Sequence, residues 1–190
     1  MATSMGDQKS FFIATFATMH FVFAPIVVTT VLLAEEREMN TLRVLRMSGI
    51  TSMEYLFSTV IFVLTFDMVS GASFLIFGGM DAIQMGKFLG AGMIGGLISI
   101  VIGLSIGTYA KSTGAANGLA VPVGMIFSFL PMMSSFNPGI QKVSKYLYGQ
   151  QLSFMMEGAD ISVETIVVLV VNGIVVLGLY LWLYSRNDFE

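Results

Sequence analysis

Long apolar runs separated by short polar links set the pattern of this chain: residues 11–34, 56–79, 88–110, 116–136 and 163–184 are almost free of charge. Each run is about 20 residues or slightly more, the length at which an α-helix crosses the ~30 Å hydrocarbon core of a bilayer. In that medium backbone amides must be satisfied within their own segment, and the alternating ~10-residue segments of a membrane β-barrel are absent. The pattern therefore predicts an all-α membrane protein, a bundle of five transmembrane helices forming a single transmembrane domain over 1–190.

The links refine this picture. The polar segment Met1 to Ser10 is followed by an apolar run too long for the core of a signal peptide and without a small-residue cleavage pattern, so the first run reads as a retained helix. The link 137–162 is mostly polar, with Pro138 and Gly139 at its start and Ile140, Val143, Leu147 and Leu152 at near-helical spacing. It predicts a short external helix, amphipathic or re-entrant. Pro131 is expected to kink the fourth span or end it early, because proline removes a backbone donor and crowds the preceding turn.

The link 35–55 is the strongly charged one, holding Glu35, Glu36, Arg37, Glu38, Arg43, Arg46 and Glu54. On a helix starting near Glu36, Met39, Leu42 and Leu45 recur at i, i+3 and i+6, while Glu36, Asn40 and Arg43 fall on another face. Acidic residues stand in its first turn, where the helix dipole favours them. This is the pattern of a cytoplasmic amphipathic helix.

Composition agrees with a membrane protein. The chain is 55% hydrophobic and 11% charged, with a mean hydropathy of +0.83, whereas soluble domains carry about 25% charged residues. There is no cysteine, so disulfides, thiolate metal sites and cysteine nucleophiles are excluded. Net charge is -3 and the basic residues are scattered, which argues against nucleic acid as a partner. No metal-ligand spacing, cofactor motif or catalytic set stands out. An ATP-binding P-loop needs glycines whose backbone amides cradle phosphates. The nearest approach, Ala110-Lys111-Ser112, has Ser105 and Ala110 at the glycine positions. A membrane protease reading of Glu35-Glu36 fails as well, since Asn40 stands where an arginine is needed and His20 is the single histidine.

Ionisable groups inside spans are expensive unless partnered. By helical rise His20 lies about 21 Å, and Asp67 about 18 Å, from the charged-link end of its span, so the two share a depth and can pair. Asn172 in the last span comes out at a similar depth, which predicts an intramembrane polar layer that contacts substrate or locks helices together. In the third span Ala91, Gly95, Ser99, Gly103 and Gly107 recur every four residues beside the pair Gly92 and Gly96. Such a stripe lets helix backbones approach closely, within the chain or at a subunit interface.

The run Glu36-Arg37-Glu38-Met39-Asn40-Thr41-Leu42, leading through Leu45 to Ser48-Gly49-Ile50-Thr51, resembles the ABC-2 type transporter permeases. In that family this element is the cytoplasmic coupling region that meets the ATPase subunit. Asn40 stands where the family commonly has glycine, and Phe57-Ser58 where a Gly-Lys pair often opens the next span. The family usually has six spans, and this chain starts just before the second. The resemblance implies an exporter permease that is not itself an enzyme, paired with a second permease chain and an ABC ATPase subunit. Glu36, Glu38, Thr41, Leu42 and Leu45 would sit at the ATPase contact, with Met47 packing alongside. A non-transporting membrane protein, such as a truncated paralogue or an immunity or sensor component, is the alternative. With the charged link in the cytoplasm, Arg37, Arg43, Arg46, Lys111 and Arg186 lie inside and Lys9, Lys87, Lys142 and Lys145 outside. Basic residues favour the cytoplasmic side, so a cell-membrane protein with an external N-terminus and a cytoplasmic C-terminus is expected.

Overall fold

The computed structural model describes residues 2–41, 44 and 47–186. Its elements are α1 (Ala2–Glu38), α2 (Ser52–Gly71), α3 (Ser73–Gly78), α4 (Ala82–Tyr109), α5 (Thr113–Ser134), α6 (Pro138–Ser144), α7 (Tyr148–Met156) and α8 (Val163–Arg186). Among the described residues there is no strand. Between α2 and α3, Ala72 keeps right-handed helical angles, so the two helices form one apolar stretch. Five stretches are long and apolar enough to cross a membrane: Lys9–Glu38, Met53–Gly78, Ala82–Tyr109, Thr113–Ser134 and Val163–Arg186.

The bundle is built around α1 and α4. Within α4's most apolar stretch 61% is buried, against 17% for both the α2–α3 stretch and α8. Small residues make this possible. A Cβ added at Gly103 would stand 2.8 Å from the Ile26 carbonyl oxygen, and one at Gly107 3.1 Å from that of Thr30. Where lipid tails are as apolar as side chains, this close approach of backbones drives association. The Thr30 hydroxyl reinforces the seam by donating to the Gly103 carbonyl at 3.0 Å. Phe21 fills the next layer. Its fully buried ring lies over Gly71 of α2 and Gly92 of α4, with Phe88 edge-on at 5.8 Å between centroids.

The first helix extends the first span back through the polar segment to Ala2. Two expectations are corrected. Pro131 does not end the fourth span early, since α5 runs through Pro122 and Pro131 to Ser134. Proline at 131 leaves the Phe127 carbonyl without its helical donor, and α7 packs on that oxygen: a Cβ at Gly149 would stand 2.8 Å from it. Finally, the link 137–162 folds as two helices rather than one, α6 and α7. Almost all of α7 is buried, including Tyr148, whose hydroxyl lies 3.0 Å from the Ser99 hydroxyl of α4.

Candidate functional site

Two polar constellations stand out against the apolar bundle, one at the charged turn and one inside the membrane-spanning region.

At the charged turn, α1 ends at Glu38, and Asn40 takes a left-handed backbone with φ 57. Asparagine accepts that conformation better than most residues. The consequence is a correction: no single helix runs from Glu36 through Met39 onward. Helical backbone resumes at Thr41, Val44 and Met47, with the Val44 amide donating to the Asn40 carbonyl. Leu42, Arg43, Leu45 and Arg46 lie outside the described residues. Met39 and Met47 are exposed, as are Ile50 and Met53 nearby. The segment ends in a capping box that starts α2, where the Glu54 amide donates to the Thr51 hydroxyl and the Thr51 amide to the Glu54 carboxylate.

The last two residues of α1 hold the neighbouring turn between α4 and α5. Arg37 Nη1 donates to the Thr108 carbonyl, near the end of α4. Glu38 Oε2 accepts from the Thr113 amide at 2.8 Å and from the Thr113 hydroxyl at 2.9 Å, at the start of α5. A helix leaves carbonyls unsatisfied at its C-terminus and amides unsatisfied at its N-terminus, with partial charges to match. The cation therefore meets the carbonyl end of one helix and the carboxylate the amide end of the next. Ser112 completes the α5 cap by accepting from the Ala115 amide.

Glu38 thus spends one carboxylate oxygen on Thr113. Glu36 differs, because its Oε2 is enclosed and takes no hydrogen bond from the described residues.

In the spans, His20 and Asp67 meet. His20 Nε2 lies 3.2 Å from Asp67 Oδ1, 3.3 Å from the Asp67 carbonyl and 3.0 Å from the Ser70 hydroxyl. The Ser70 hydroxyl hydrogen has the Phe66 carbonyl at 2.8 Å. Nε2 therefore has three oxygens within reach that can accept from it when it carries the ring proton. Asp67 is 2% exposed, and neither carboxyl oxygen takes a directed hydrogen bond. Gly96 leaves room for it, since a Cβ there would stand 3.1 Å from Asp67 Oδ2. Asn172 is held elsewhere, its side-chain amide donating to the carbonyls of Tyr146 and Val168.

The stripe on α4 divides between two partners within the chain. Gly103 and Gly107 face α1, while Gly95 faces Leu152 of α7 and Ser99 bonds Tyr148. Ala91 is fully buried in the core that contains Phe21 and Leu152. The Arg37 and Glu38 bonds have no signature in sequence, whereas Ser70, one turn beyond Asp67, and the T-x-x-E run at Thr51 do. Among the described residues no group of three or more His, Cys, Asp or Glu side chains is arranged to hold a metal ion.

Residues 2–185 match the family described as fluoroquinolones export permease protein Rv2686c-like. No curated protein and no solved structure matches the chain.

Proposed function

The chain belongs to this fluoroquinolone export permease family, and from that membership we propose that it is the membrane-spanning subunit of an ABC-2 type exporter. ATP is hydrolysed on a separate ABC ATPase subunit, since the sequence lacks the glycines of a P-loop. The charged turn faces the cytoplasm, with the N-terminus outside and the C-terminus inside. Thr41, Leu42 and Leu45 contact the ATPase, joined by exposed Met39 and Met47, while Glu36, whose Oε2 is enclosed, backs this surface. The exposed apolar faces of α2 and α8 meet lipid and a second permease chain.

The observation that carries this reading is the double hold of Arg37 and Glu38 on the α4–α5 turn. A force applied to the charged turn reaches α1, α4 and α5 together, because the end of α1 is bonded to the end of one helix and the start of the next. Closure of two ATPase subunits beneath the turn would then tilt the central helices as a unit and switch the opening of the bundle. Glu38 acts in this scheme as a positioning residue rather than as an ATPase contact. The His20–Asp67 pair sits on the seam between α1 and α2, which that tilt would strain.

The cargo we propose is of the fluoroquinolone class named for the family. The test is co-purification of the full chain with its candidate ATPase in nanodiscs, together with efflux of a fluorescent fluoroquinolone from cells. Stimulated ATP turnover and efflux that depends on both genes are expected. A chain that binds no ATPase, with efflux unchanged on its deletion, overturns the reading.

A further inference from the structure

At the end of the bundle away from the charged turn, α6, α7, the loop after α7 and the first turn of α8 line a cavity of about 450 Å³ that is open to the surface. Sites for drug-sized ligands run from about 300 to 1,000 Å³. The charges of the lining are divided between elements. Lys142 and Lys145 come from α6 and its C-cap, Asp160 and Glu164 from the loop and α8, and Phe154 of α7 adds an aromatic side chain.

The walls are fastened to one another. Gln151, only 4% exposed, donates to the Lys145 carbonyl at 2.6 Å and accepts from the Thr165 hydroxyl at 2.9 Å, tying α7 to both neighbours. Lys87 of α4 holds the loop through the carbonyls of Gly158 and Ala159 and the Asp160 carboxylate, each at 3.1 Å. These fastenings engage Asp160 and leave the other charges of the lining available. The ion pairs His20–Asp67 and Lys87–Asp160 involve neither Lys142 nor Glu164. The Lys145 ammonium stands 4.7 Å from the centre of the Tyr146 ring.

We propose that this cavity binds an aromatic organic zwitterion, its carboxylate toward Lys142 and Lys145, its ammonium toward Glu164 and its ring against Phe154. A simple anion would face Glu164 unpaired, and a simple cation would face the lysines, so the lining selects against both. Phe154 offers an aromatic face against which a ring can stack. The inference rests on the export reading and narrows it, placing a cargo site on the outer side of the bundle.

The experiment uses the full chain in nanodiscs without any ATPase, and binding of ciprofloxacin, a zwitterion near neutral pH, followed by its fluorescence. Glu164→Gln and the double variant Lys142→Ala/Lys145→Ala are each expected to weaken binding about tenfold, the loss of one hydrogen bond to a charged group. The ethyl ester of the drug, which lacks the carboxylate, should bind more weakly and ignore the lysine substitutions. Wild-type affinity in Glu164→Gln overturns the proposal, as does absence of binding in the wild type. Displacement of the drug by O-phosphoethanolamine as readily as by unlabelled drug also overturns it, and makes the cavity a headgroup site. Should the lysine variant misfold, the near-isosteric Glu164→Gln carries the decision alone. The export reading fails separately: binding that follows these expectations with no loss of efflux on gene deletion sinks export and keeps the site. Efflux unaffected by Glu164→Gln and the lysine changes sinks the site and keeps export.

Discussion

Glu38 Oε2 accepts the backbone amide of Thr113 at 2.8 Å, so the last residue of α1 is part of the N-terminal cap of α5, in a different span. The carboxylate works here as an oxygen acceptor at the positive end of a helix. Glu38→Gln keeps an acceptor and should retain most of the ATPase stimulation. Glu38→Ala should lose it several-fold while membrane insertion, read by protease protection, stays normal. Equal stimulation in Glu38→Ala and wild type would exclude the coupling role.

The turn geometry at Asn40 gives a second expectation. With φ at 57, Asn40→Gly should leave stability unchanged. Asn40→Val should lower it by about 1–2 kcal/mol, the cost of a left-handed backbone for an L-residue with a Cβ. Thermal unfolding in detergent checks both, and a Val variant as stable as wild type would show that the chain leaves the left-handed region without loss.

His20 and Asp67 stand 3.2 Å apart, and a double-mutant cycle with His20→Ala and Asp67→Ala should show a coupling of about 0.5–2 kcal/mol. Single removal of His20 is expected to be the costlier change in proportion to what it removes, because it leaves a buried carboxyl group without its polar partner. Additive losses would show that the pair does not lock α1 to α2. A shift in substrate preference with wild-type stability would assign it to cargo contact instead.

The two ends of α4 should respond oppositely to the same substitution. At Gly90 an added Cβ meets nothing within 4 Å, so Gly90→Ala should stabilise by up to about 1 kcal/mol through lower backbone entropy in the unfolded chain. At Gly103 the Cβ would meet the Ile26 carbonyl oxygen at 2.8 Å. Backbone cannot yield as a side chain does, and Gly103→Ala should cost about 1–3 kcal/mol. Similar unfolding temperatures for the two variants would contradict the α1–α4 seam.

What the sequence determined by itself was everything that depends on length, hydropathy and local spacing. Five apolar runs of bilayer length require helices whatever they pack against, because lipid offers no partner to a free amide. The pairing of His20 with Asp67 was legible for a related reason. Each is an ionisable side chain inside an apolar run, and counting from the shared link puts the two at one depth. The T-x-x-E run at Thr51 was there to be read as well, since a capping box is local.

The tertiary structure decided whatever depends on which helices are neighbours. That Arg37 and Glu38 grip Thr108 and Thr113 requires the α1 end to lie beside the α4–α5 turn, more than seventy positions along the chain. Depth alone placed Asn172 with His20 and Asp67, but angular position around the bundle sends its amide to Tyr146. Pro131 reads as a helix breaker until Gly149 is seen packed on the carbonyl that the proline leaves free. Likewise the division of the α4 stripe between α1 and α7 follows from packing, because a run of small residues permits close approach without naming the partner.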